Sequence, residues 1–215
     1  MGKSPFHELR RARRRGKTLR SIAHKLDLLY FGSVDQHSDD HAIIRGITAS
    51  THHRDSHFSV GSYNGYDLSI VDRLHPKKRA SSQPASRWII LQLTLRSPHA
   101  SSFFMPTGRD EAFRQLFSGV HQLVPLEHSL PTTFTPEFSS RYTIYSTPSA
   151  ATDTYNLVTP DLQVGMSARF WPHAVEIQQD KVYVYITEHH LDEAVLLSSI
   201  ASALWLAETL DGQGN

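Results

Sequence analysis

Thr51 to Arg73 reads THHRDSHFSVGSYNGYDLSIVDR, and its second half decides the fold. Asn64-Gly65 sits between two runs that alternate apolar and polar residues. Asn-Gly is the strongest short signal for a two-residue hairpin, because both central residues of a type I′ turn need positive φ. Such a turn pairs Tyr63 with Tyr66, Ser59 with Ile70 and His57 with Asp72. The first half of the stretch is different. Three histidines and an aspartate crowd its start, and the sheet period places His53, Asp55 and His57 on one face.

Working outward, the same periodicities assign the rest of the chain. Leu9, Ala12, Gly16, Leu19, Ala23, Leu26 and Tyr30 form one stripe, so residues 5–30 are expected as an amphipathic helix. Residues 32–41 read as a polar loop and 42–50 as a short strand. "RWIILQLTLRS" (87–97) is apolar enough for a central strand. Residues 110–118 suit a short helix, and "HQLVPLEH" (121–128) an edge strand marked by Pro125. Then follow a strand over 140–146 and two short helices, the second with Thr159 as cap and Pro160 in its first turn. "AVEIQQDKVYVYIT" reads as a second hairpin turning near Gln179-Asp180. A last helix runs from about His190 to Leu210, with a polar face of only Asp192, Ser198, Ser199 and Ser202, and the tail 211–215 is expected to be disordered. So narrow a polar face implies broad cover, by the sheet or by a second copy of the chain. The class is therefore α+β: an antiparallel sheet built from hairpins with helices on one face, plus an N-terminal amphipathic basic helix. The domain reading is a basic extension over 1–31 and an α+β domain over 32–210, taken whole or as halves 32–128 and 134–210.

Charge separates the extension from the body. The net charge is +1, but residues 1–25 carry +8 and the remainder −7. Blocks of like charge are often interaction tails. Arg10, Arg11, Arg13, Arg14, Arg15 and Lys17 are the candidates for contact with an anionic membrane surface or a partner protein, with Arg11, Arg14 and Arg15 foremost. Nucleic acid fits less well, since no aromatic follows Phe6 in the arm to stack on bases. The absence of cysteine excludes disulfides, thiolate metal sites and thiol nucleophiles. The basic start lacks the apolar run of a signal peptide, and Ala194 to Ala207 is short for a span, so a cytoplasmic protein, peripheral to a membrane, is expected.

Two stretches resemble an uncharacterised bacterial domain family of unknown function, often membrane-tethered. One is "VGSYNGYDLSIVD", a Gly-x-Tyr-x-Gly hairpin; the other carries Phe138, Tyr142, Ile144, Ala151, Leu157, Thr159 and Pro160, a Leu-x-Thr-Pro helix start. These are turn and packing residues. The resemblance implies fold and carries no catalytic residues, and the basic arm departs from the family's hydrophobic N-terminal helix.

Catalytic chemistry has one candidate. His53, Asp55 and His57, with His37 or His41 from the loop before, are ligand types for zinc, manganese or iron in a metal-dependent hydrolase. On a straight strand His53 and His57 lie roughly 13 Å apart, so all three share an ion only if the strand bulges. Three further motifs fail on spacing. "EHHLDE" lacks the His-Glu-x-x-His interval, "RRGKT" has Arg11 where a phosphate loop needs glycine, and Gly61 and Gly65 do not bracket Ser62 as a nucleophile elbow requires. The expectation is a non-catalytic interaction domain without a cofactor, the hydrolase and a structural subunit of a larger assembly being the alternatives.

Overall fold

A computed structural model describes residues 5–33, 44–49, 53–75, 86–108, 113, 123–187 and 191–213, with side chains in the first helix from residue 12 onward. Helix α1 (Pro5–Lys25) leads into strand β1 (Leu29–Ser33), and β2 (Arg54–Tyr63) and β3 (Tyr66–His75) form the expected hairpin. Asn64 and Gly65 have φ of 51° and 80°, the I′ signature, and Tyr63 faces Tyr66 while Ser59 faces Ile70. Next come β4 (Ser86–Pro106), the two-residue β5 (Val124–Pro125), α2 (Pro136–Arg141) and β6 (Tyr142–Ser146). The chain continues through α3 (Ala151–Leu157), α4 (Pro160–Arg169), β7 (Ala174–Ile186) and α5 (Glu193–Gln213). The seven strands make one antiparallel sheet in the order β1-β2-β3-β4-β6-β5, with β7 on β4. The α+β class, with an antiparallel sheet, is borne out.

β4 organises the sheet. Its first half pairs with β3, from Leu68↔Leu93 to His75↔Ser86, and its second half with β6, from Ser102↔Ser146 to Pro106↔Tyr142. Along its other side runs β7, from Ile89↔Ile186 to Phe104↔Val175. The hairpin expected within 174–187 is therefore corrected: both halves pair with β4 as one strand. A I′ turn needs two positive φ values, and Gln179 alone has one, at 55°; it marks a register shift instead.

Helix α1 also ends earlier than its apolar stripe. Asp27 takes φ 55°, its amide bonds His24 O, and the Leu28 amide bonds Ala23 O at 2.8 Å. This is the Schellman arrangement, which closes the helix and turns Leu28 inward. Leu19, Ile22, Ala23, Leu26 and Leu28 join Leu68, Ile70, Ile89, Leu91 and the α5 residues Leu196, Ile200, Ala203 and Leu206 in the larger core. In α5, Ser199 and Ser202 face inward, not outward as expected, and satisfy their hydroxyls on Val195 O and Ser198 O. α5 is long and apolar enough to cross a membrane by composition, and half of that window is buried here. It extends through Gln213, over part of the tail expected to be disordered.

The other sheet face carries a second cluster: Phe58, Val71, Trp88, Ile90, Phe103, Tyr183 and Tyr185, covered by Ile44, Ile47 and Phe113. Residues 44–49 are not a strand. They turn at Gly46, φ 65°, and their backbone is bonded by side chains rising from the sheet. Gly32 and Ser33, expected as the start of a polar loop over 32–41, complete β1 instead; the rest of that loop and most of the expected helix 110–118 lie outside the described residues.

Candidate functional site

The histidine-bearing end of β2 contains the bulge that a shared metal would have required, but the bulge separates the residues. Ser56, not His57, stands opposite Asp72, and the register shifts before Ser59. His57, φ 55°, is the extra residue. It turns to the α1 side of the sheet, where a Cβ on Gly16 would lie 2.7 Å from its ring. Its Nδ1 hydrogen-bonds Tyr30 Oη at 2.6 Å. His53 and Asp55 lie on the other face, with His53 Nε2 3.7 Å from Asp55 Oδ2. Both Asp55 oxygens accept from Arg73, each at 2.8 Å. Thus the three residues expected on one face divide between two. Among the described residues no group of three histidine, aspartate or glutamate side chains converges; His37 and His41 lie outside them.

The consecutive charges Asp72 and Arg73 of β3 serve opposite faces. Asp72 is fully buried beneath α1 and receives Arg15 Nε at 3.0 Å and Arg87 at 2.6 and 2.8 Å. Arg15 is 15 % exposed, and burial lowers its guanidinium from the ordinary value against the pull of Asp72. Burial likewise lowers His57, and Arg87, Arg15 and Arg20 add to that against Asp72, so the imidazole is favoured neutral. Arg73, fully buried, donates to Arg45 O and Thr48 Oγ1 at 3.0 Å and to Ile44 O, and so fastens residues 44–49. His75 Nε2 meets Thr48 O at 2.6 Å.

Glu176 is the second fastening of that segment. It accepts from the Ile47 amide at 2.8 Å and from the Tyr185 hydroxyl. Burial pushes its carboxyl up to about 7, while Tyr185, Ile47 and Arg73 pull the other way. A folded-state value above the unfolded one makes the protonated form the stabilising form. Stability from this group is complete below the unfolded value of 4.5 and is lost as pH rises to about 7, a decline on the order of 3 kcal/mol. Glu176→Gln keeps an acceptor without a charge. Subtracting its denaturation profile from that of the unsubstituted chain should isolate this slope between pH 4.5 and 7. A flat difference curve would remove the assignment.

The basic arm divides by side. Among the arm residues singled out from the sequence, Arg13, Arg14 and Lys17 are exposed, whereas Arg15 is withdrawn into the pair with Asp72. The side chains of Arg10 and Arg11 lie outside the described residues. Arg20, one helical step beyond Lys17, continues the stripe and sits over the Tyr30 ring, 5.3 Å from its centroid. Lys25 and Ser21 bond the Glu193 carboxylate and so tie α1 to the start of α5. Asp72, Arg87, Tyr30 and Glu176 were not singled out as site residues. Adjacent opposite charges inside the apolar run Leu68–Leu74 were the available signal for Asp72 and Arg73; nothing local announces Tyr30 or Glu176. Two shallow clefts, each about 250 Å³, lie elsewhere, one beside Phe134 and Tyr142, the other beside Tyr66 and Asp211.

No protein-family model and no curated protein matches this sequence. In fold the chain is similar to the crystal structure of the mycobacterial trehalose monomycolate transport factor A, TtfA. The TM-score is 0.60 at 11 % identity, over 91 % of this chain and 93 % of that one. A likeness at that identity speaks of architecture.

Proposed function

We propose that this chain is a non-catalytic interaction domain of the bacterial cytoplasm that meets an anionic surface or an acidic partner protein through the exposed stripe of α1. The observation that carries the reading is the stripe itself. Arg13, Arg14, Lys17 and Arg20 face outward on a helix whose opposite side is locked by Leu19, Ile22, Ala23, the Arg15–Asp72 pair and the seat of Gly16 on His57. Charges on a fixed helix lose little freedom on binding and sum their attraction. The fold shared with a protein described as a transport factor is in keeping with an accessory role, one exercised by contact.

The structure selects the test. Removing the first eighteen residues would also remove Arg15 and Thr18 from the interior. Charge reversal at Arg13, Arg14 and Lys17 leaves the docked face alone. At about 1 kcal/mol per basic residue near an anionic surface, loss of three charges alone is worth roughly 100-fold, so the charge-reversed triple variant should lose at least about that much in affinity for phosphatidylglycerol vesicles and for polyglutamate at low salt. Co-sedimentation and fluorescence anisotropy read this directly. Equal binding by the variant, or no salt dependence in the unsubstituted chain, would overturn the reading.

A further inference from the structure

Among the described residues the sheet ends at β1. Among the described residues β1 pairs on one side only, with β2, from Leu29↔Val60 to Ser33↔Ser56. A bare edge is a template for another strand, and proteins blunt it with lysine, proline, a bulge or a cover. β1 reads Leu-Tyr-Phe-Gly-Ser, with no charge and no proline. Leu29 is 68 % exposed and Phe31 46 %, the first being the most exposed large hydrophobic side chain among the described residues. Successive side chains alternate between faces. Phe31 stacks on Phe58, at 5.8 Å between centroids, on the face of the second cluster. Tyr30 turns the other way, to His57 and beneath Arg20 of the basic stripe. The edge is thus apolar on one face and cationic on the other.

We propose that β1 is a docking edge for an extended segment of a partner protein in which acidic and apolar residues alternate. The inference rests on the reading of the α1 stripe as the anion-contacting surface and names what that surface receives. A strand laid against β1 shares its pleat, so every second side chain falls on each face. Those on the α1 side come beside Tyr30 and Arg20, where a carboxylate is favoured. Those on the far side come beside Leu29 and Phe31, where an apolar group is favoured by cross-strand packing. Main-chain hydrogen bonds supply affinity and the alternation supplies register. Charge argues against a second copy of this chain as the occupant. Antiparallel pairing of two β1 edges would carry both cationic helices onto one face of the joined sheet, where they repel.

The experiment uses the full chain and a synthetic peptide of about four Glu-Val repeats, long enough to span β1. A control peptide of the same composition has its glutamates and valines in separate blocks. The alternating peptide should bind at least about tenfold more tightly than the block peptide. Amides of residues 29–33 should gain protection from hydrogen exchange when it binds. Phe31→Glu should lower its affinity by about tenfold or more; because Phe31 also stacks on Phe58, Leu29→Glu at the more exposed position should give the same loss with little change in the thermal midpoint. Equal affinity for the two peptides, or indifference to Phe31→Glu, would overturn the docking edge while leaving the stripe reading intact. Unchanged binding of both peptides after charge reversal at Arg13, Arg14 and Lys17 would overturn both.

Discussion

Asp72→Ala should lower stability by about 3–5 kcal/mol, the cost of stranding a buried charge whose partner is removed. The residue is fully buried; Arg87 donates to its Oδ2, and Arg15 Nε forms an ion pair with the same oxygen at 3.0 Å. The two arginines do not suffer equally. Arg87 is partly exposed and can turn toward water. Arg15 is held under α1 with neither Nε nor Nη2 meeting a hydrogen-bond acceptor, so it cannot recover its hydration without lifting the helix. The first half of α1 should therefore loosen first. Two measurements check this. The thermal midpoint should drop by roughly 10 °C for a chain of this size. Trypsin should cut faster at Arg13, Arg14 and Lys17 in the variant than in the unsubstituted chain. Adding Arg15→Met to the variant should restore part of the loss, since it removes the stranded charge. A double variant no more stable than Asp72→Ala alone would refute the mechanism.

Arg73→Met should cost about as much, 3–5 kcal/mol, but its damage should appear on the opposite face. The guanidinium holds Asp55 through both carboxylate oxygens and three acceptors on residues 44–48. Methionine fills much of the volume and satisfies none of them. The carbonyls of Ile44 and Arg45 lose their donor inside the second cluster, where an unmet polar group costs about 1–3 kcal/mol. Hydrogen exchange should accelerate at residues 44–49, while the amides of α1 keep their protection. Faster exchange in α1 together with unchanged exchange at 44–49 would contradict this division. Adding Asp55→Leu should recover stability by removing the second charge of the pair. Asp72 and Arg73 are neighbours in sequence, so the contrast between their variants tests whether the sheet separates two independent attachments.

That separation bears on function. The stripe of Arg13, Arg14, Lys17 and Arg20 stays presented only while Arg15 remains in its pair. Arg15 was foremost among the residues expected to contact a partner, and composition gave no reason to set it apart from Arg14. Helical geometry does. Arg15, Leu19 and Ile22 lie on one side, at intervals of four and three, and Arg13, Lys17 and Arg20 on another.

Local rules determined a good part of this protein from the sequence alone. Asn64-Gly65 dictated the β2–β3 turn and its register as far as Ser59, because positive φ at two successive residues leaves few choices of backbone. Thr159-Pro160 dictated the start of α4, its hydroxyl accepting from the Leu162 amide. The apolar stripe placed the buried side of α1, and the apolar run after Arg87 placed β4 at the centre. Beyond those signals the chain needed its partners. The bulge at His57 exists because α1 offers Gly16 and β1 offers Tyr30 to receive the ring, contacts made across 41 and 27 positions of sequence. β7 is one strand and not a hairpin because β4 is long enough to pair with both halves. Residues 44–49 turn and do not extend because Arg73 and Glu176 satisfy their backbone from below. A turn is settled by the dihedral preferences of two residues; a bulge, a strand's partner and a buried charge are settled by what lies on the other side of the contact, and that is written nowhere near them in the chain.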